Sequence, residues 1–179
     1  MKSLMPPTFW YWLFCGSGGK PGFSRIINGW MLVHCGVAFW LALYVPIELR
    51  EATNSILAPL AGLLIGLAFA WAANAQALLQ CEEVEEIVKN TKGGFPDYVY
   101  TYQLSVFIVL LTMILWGLAS LGVFDKIWPK IDSHYYIGCK YVLYLMTSLT
   151  IRTCWHVVMG AQLMLIVRWT IRQNGSAEK

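Results

Sequence analysis

Two histidines, one arginine and one run of glutamates have the residue types and settings that could do chemistry: His34, His156, Arg152 and Glu82-Glu83-Val84-Glu85-Glu86. His34 and His156 each fall within a hydrophobic stretch, on different expected helices. Paired imidazoles of that kind hold a haem iron in four-helix membrane cytochromes of the b type. Counted from the inner ends of their spans, His34 lies about eight residues deep and His156 about twelve, roughly 6 Å apart in height. One bis-histidine haem b is therefore the alternative reading. Such cytochromes usually carry four histidines for two haems, and the second span here has none. A lone intramembrane histidine is more often a hydrogen-bonded packing residue, so the primary expectation is no cofactor. His134, beside Asp132, reads as solvated.

Arg152 is the most demanding residue. At about 100° per residue, Ser148, Arg152, Trp155, His156, Met159 and Gln162 share one face of the last hydrophobic stretch, while the remainder is lipid-compatible. A charge at bilayer mid-depth costs at least about 2.5–3.5 kcal/mol and usually faces a bundle interior or a watery cavity. No Asp or Glu lies at comparable depth in any span. The charge must be met by helix carbonyls, Asn74, Gln76, Gln162, water, a lipid phosphate or a passing anion. Arg152, His156, Gln162, Ser148 and Asn74 accordingly form a candidate pore or assembly face. Several copies turning this face inward would form a positive ring that favours anions. Glu82, Glu83, Glu85 and Glu86 would favour cations at the inner end, so no selectivity is assigned. These glutamates fall on a regular helix, whereas calcium loops wrap ligands around a glycine turn, and they read as a solvated acidic face rather than a metal site.

Covalent chemistry has no support. The chain lacks G-x-S-x-G, H-E-x-x-H, a Walker loop and G-x-G-x-x-G. Gly16-Ser17-Gly18-Gly19-Lys20 has neither a preceding strand nor a following Ser/Thr, and reads as a loop. The five cysteines contain no C-x-x-C pair, which argues against a disulfide framework or structural zinc. A net charge of +3 without a basic block argues against nucleic-acid binding.

The elements that would position these residues follow from composition. The chain is 58% hydrophobic and 13% charged, against about 25% charged in soluble domains. This is the composition of an all-α integral membrane protein. Residues 1–25, with Pro6, Pro7 and the aromatics of 9–14, read as an interfacial segment without a cleavage signal. Four spans are expected over about 26–45, 56–80, 102–124 and 137–170, forming one domain. Pro59 is expected in the first turn of the second span, where proline is tolerated. Gly62, Gly66, Ala70 and Asn74 form a ladder at spacing four, which allows close helix packing in lipid. Ala77, Cys81, Val84 and Val88 extend an apolar seam past the bilayer, so helix 2 is expected to reach into the cytoplasm, where a protein partner could meet the acidic flank.

Positive residues set the orientation. Lys2, Lys20, Arg25, Lys89, Lys92, Arg168, Arg172 and Lys179 oppose Arg50, Lys126, Lys130 and Lys140, which places both termini in the cytoplasm. The small-residue second span, the Glu82–Glu86 run and the long fourth span with His156 and Arg168-Trp169 resemble small bacterial four-span membrane proteins that act as effectors in antiphage defence. The resemblance implies a homo-oligomer in the bacterial inner membrane that perturbs it or conducts ions across it, and it carries over no functional residue. The expected function is thus ion conduction or membrane-embedded assembly, with no enzymatic step.

Overall fold

The computed structural model describes residues 8–16, 21–45, 49–79, 94–127 and 133–177, and all regular structure among them is helical. The elements are α1 (Phe9–Cys15), a 3₁₀ turn (Gly22–Arg25), α2 (Trp30–Tyr44), α3 (Leu49–Leu79), α4 (Gly94–Ser120), α5 (Val123–Ile127) and α6 (Ser133–Ala177). The acidic run Glu82, Glu83, Glu85 and Glu86, and with it the cytoplasmic extension of helix 2, lies outside the described residues.

Helix limits differ from the expected spans for a physical reason. Hydropathy marks only the apolar part of a helix, whereas backbone hydrogen bonding continues through polar flanks. α3 therefore begins at Leu49, so Pro59 sits inside the helix and not in its first turn. Proline there supplies no N–H to the preceding turn. α4 begins at Gly94 and ends at Ser120, and α6 spans 45 residues, about 67 Å at 1.5 Å per residue. After α4 the chain reverses at Gly122, whose φ of 70° favours glycine. Among the described residues two segments, Val99–Ser120 and Tyr136–Gln162, are long and apolar enough to cross a membrane. Trp30–Tyr44 and Ser55–Leu67 are shorter apolar helices; the first is about 22 Å long against a hydrocarbon core of about 30 Å.

The long helices alternate in direction. Val45 meets Lys140 while Ile26 meets Arg152, so α2 runs antiparallel to α6. Trp116 meets Thr147 and Ser105 meets Thr153, so α4 does too. α3 packs mainly on α4, with Leu60 in the cluster of Trp116 and Leu67 in that of Val109. The principal core joins Ala38 and Ala42 of α2, Leu60 of α3, Trp116 and Ala119 of α4, and Leu143 and Tyr144 of α6. Between α4 and α6 runs a buried polar seam. Thr112 and Thr150 are fully buried with their hydroxyls 2.9 Å apart, and the indole N–H of Trp116 donates to Thr147 Oγ1 at 2.9 Å. Each of these threonine hydroxyls also reaches the carbonyl one turn back, at Ile108, Leu143 or Met146, so all three are satisfied within the seam.

The outer surface of the described helices carries many large apolar side chains. α2 buries Ala38 and Ala42 and turns Leu32, Val33, Val37, Phe39, Trp40 and Leu43 outward, with Leu32 78% exposed. Ile65 and Phe69 of α3 and Ile151, Trp155, Leu165 and Ile166 of α6 are likewise exposed.

Candidate functional site

The site grows from the chain that leads into α2. Thr8 caps α1, its hydroxyl accepting from the Tyr11 N–H at 3.3 Å. Helical spacing then gathers Phe9, Trp12 and Leu13 on one face, which docks against Tyr100, Leu104 and Ile108 of α4 and Leu149 of α6. Trp12 is 1% exposed and lies directly beneath Gly22. The expected interfacial segment is therefore, in its described part, a helix packed on the bundle. The 3₁₀ turn beyond it presents the carbonyls of Arg25 and Ile26 towards α6.

Arg152 takes those carbonyls. One terminal guanidinium nitrogen donates to Ile26 O at 3.3 Å and the other to Arg25 O at 3.2 Å, while Nε donates to His156 Nε2 at 3.4 Å. No carboxylate among the described residues pairs with it. Its partners are backbone dipoles, but of the segment before α2 rather than of its own helix. That segment precedes the first long helix, so Arg152 stands level with the N-terminal end of α2. Arg25 extends the polar patch: its guanidinium donates to Thr101 Oγ1 at 2.7 Å and lies 5.9 Å from the Trp12 ring centroid. His156, which accepts from Arg152 Nε, is exposed.

A second cation holds the other end of α2. Lys140, 7% exposed, donates to Val45 O at 3.2 Å and sits 4.9 Å from the Tyr136 ring centroid. Together Lys140 and Arg152 clamp α2 on α6 at both ends: Lys140 takes the Val45 carbonyl at the C-terminal end, where helix carbonyls lack intrahelical donors, and Arg152 shares the Arg25 and Ile26 carbonyls with Asn28. Arg152→Gln should consequently destabilise the bundle by roughly 1–2 kcal/mol, since charge-assisted bonds to two carbonyls are lost. Thermal unfolding in detergent checks this, and unchanged or raised stability would show that the clamp is dispensable.

The remaining expected residues separate into distinct places. Ser148 lies one turn from Arg152 and its hydroxyl is 2.7 Å from His34 Nδ1, which joins α2 to α6. Gln162 is exposed, further along α6. Asn74 is on α3, and its side chain and that of Gln76 fall outside the description. Gly62, Gly66 and Ala70 are exposed, and a Cβ added at Gly62 or Gly66 would meet nothing within 4 Å. Among the described residues, therefore, Gly62 and Gly66 pack against no other helix. The haem alternative needs both imidazoles on one iron. His34 is level with Ser148, which precedes His156 by two helical turns, about 12 Å along α6. Ser148 and Arg152 take a nitrogen of each ring. Among the described residues no group of three or more His, Cys, Asp or Glu could hold a metal.

Sequence reasoning missed Trp12, Gly22, Arg25, Thr101 and Lys140. Only the 9-12-13 spacing behind Thr8 could have shown the packed face of α1, because backbone carbonyl acceptors leave no sequence signature. No protein family, curated protein or solved structure matches this chain.

Proposed function

We propose that the chain is an oligomeric membrane protein with four spans, built on α2, α3, α4 and α6, in a bacterial inner membrane with both termini cytoplasmic. It acts by membrane-embedded assembly that conducts ions, in the defence setting that the resemblance implies, without covalent chemistry or a resident cofactor. The observation that supports it is the apolar surface of the bundle: Leu32, Phe39, Trp40, Ile65 and Phe69 face outward, around a core that joins Trp116, Leu143 and Tyr144 with the buried hydroxyls of Thr112 and Thr150. Water disfavours such a surface by roughly 25 cal/mol per Å² of exposed apolar area, whereas lipid accepts it. The outward ladder supports copies meeting across α3, since Gly62, Gly66 and Ala70 let backbones approach closely.

Assembly is tested by two substitutions on one helix. Gly66→Leu should weaken the oligomer by about tenfold or more without lowering bundle stability, because its surroundings within the chain are open. Leu64→Ala should do the opposite, since Leu64 packs on the Leu67–Val109 cluster. Oligomer mass in nanodiscs and ion flux across planar bilayers, compared for wild type and both variants, read the two effects. Equal oligomer stability in the two variants would place lipid on the ladder. A sharp visible α-band in the dithionite-reduced protein would replace this reading with electron transfer.

A further inference from the structure

The arginine–histidine patch at the N-terminal end of α2 is larger than its clamping role requires. Arg152 has five N–H donors, and its recorded bonds use one from each of its three nitrogens. Two remain for a further acceptor. Among the described residues its charge meets carbonyl dipoles and an imidazole, and Arg25, whose guanidinium bonds Thr101 on α4, brings a second guanidinium to the same end of α2. His156, exposed and accepting from Arg152 Nε, adds a further ring nitrogen at the rim. Trp30 and Trp155, 66% and 64% exposed, flank the patch within a turn of Ile26 and Arg152. Indoles at a charged level mark a half-wet boundary, where an apolar ring and a polar edge are both satisfied.

We propose that Arg152, Arg25 and His156 form a binding site for a phosphate-bearing anion. Guanidinium forks match the tetrahedral oxygens of phosphate and bind them with charge-assisted bonds. The anion is either the headgroup of an anionic phospholipid, seated between Trp30 and Trp155, or a free phosphate. The lipid form rests on the membrane reading above; the free-anion form does not.

The test uses the full chain in uncharged detergent, titrated separately with dihexanoyl phosphatidylglycerol, dihexanoyl phosphatidylcholine and inorganic phosphate, with thermal stabilisation as the readout. Saturable stabilisation is expected from phosphatidylglycerol or from inorganic phosphate, and whichever acts identifies the source. Phosphatidylcholine, whose choline cancels the charge, should bind at least about tenfold more weakly. His156 is exposed, so His156→Ala should fold normally and bind the anion about fivefold more weakly. His156→Lys, which adds a charge at the rim, should bind it about threefold more tightly. No saturable effect from either anion, equal binding of phosphatidylcholine, or one affinity in all three proteins would overturn the proposal. Sedimentation of the same protein with membranes after alkaline washing separates the two readings: membrane insertion without anion binding removes the site alone, and phosphate binding without insertion removes the membrane reading alone.

Discussion

Gly22→Ala should release α1 from the bundle. A Cβ at this position would lie 2.5–2.8 Å from three carbon atoms of the Trp12 ring, far inside van der Waals contact. Trp12 is 1% exposed and cannot retreat without leaving the pocket formed with Leu13, Leu104, Ile108 and Leu149. Overpacking of this kind costs about 1–3 kcal/mol, and the Arg25 and Ile26 carbonyls that Arg152 holds lie only a few residues further on. The measurable result is faster proteolysis of the N-terminal segment together with a lowered unfolding temperature. Trp12→Ala should remove most of the penalty, so that the double variant is less destabilised than the sum of the singles by at least about 1 kcal/mol. Additive effects would mean that the Gly22–Trp12 contact does not hold α1.

Trp116→Ala should be the most damaging single change in the helical core, costing about 3–5 kcal/mol as a large buried side chain is deleted. Trp116 is fully buried, packs edge-on against Tyr144 with ring centroids 6.0 Å apart, and ties α4 to α6 through Thr147. Trp116→Phe keeps most of the packing and loses the indole donor. It should cost only about 1 kcal/mol beyond the smaller ring, because Thr147 keeps its bond to the Leu143 carbonyl. Unfolding midpoints of the two variants in detergent separate packing from hydrogen bonding; equal losses would assign the stabilisation to the Trp116–Thr147 bond.

What could be read beforehand depended on whether a residue's role is set by its own chemistry. The all-helical class followed from the apolar runs, and Val99–Ser120 and Tyr136–Gln162 are where those runs are longest. Helix ends did not follow, because α3 and α4 continue through polar flanks that hydropathy does not register. The pairing of His34 with Ser148 and the partners of Arg152 were equally illegible: periodicity places Ser148, Arg152 and His156 on one face but does not say what covers it. In the same way, spacing four at Gly62, Gly66 and Ala70 identified a face without its neighbour, and that face points out of the chain. The missing acidic partner of Arg152 was legible as a deficit. Its answer, two carbonyls of the turn before α2, could be seen only once the chain was folded.

Four crossings require α2 and α3 to span the membrane along with α4 and α6, although among the described residues only the latter two contain a segment long and apolar enough by itself. A cysteine-free protein carrying single cysteines at Tyr44, Lys126, Lys89 or Lys179, labelled with an impermeant maleimide in intact spheroplasts, tests it most directly. With four spans, Tyr44→Cys and Lys126→Cys should label at once, and Lys89→Cys and Lys179→Cys only after permeabilisation. With α4 and α6 alone crossing, Lys126→Cys would still label while Tyr44→Cys stayed as protected as Lys179→Cys, and that result would contradict the account.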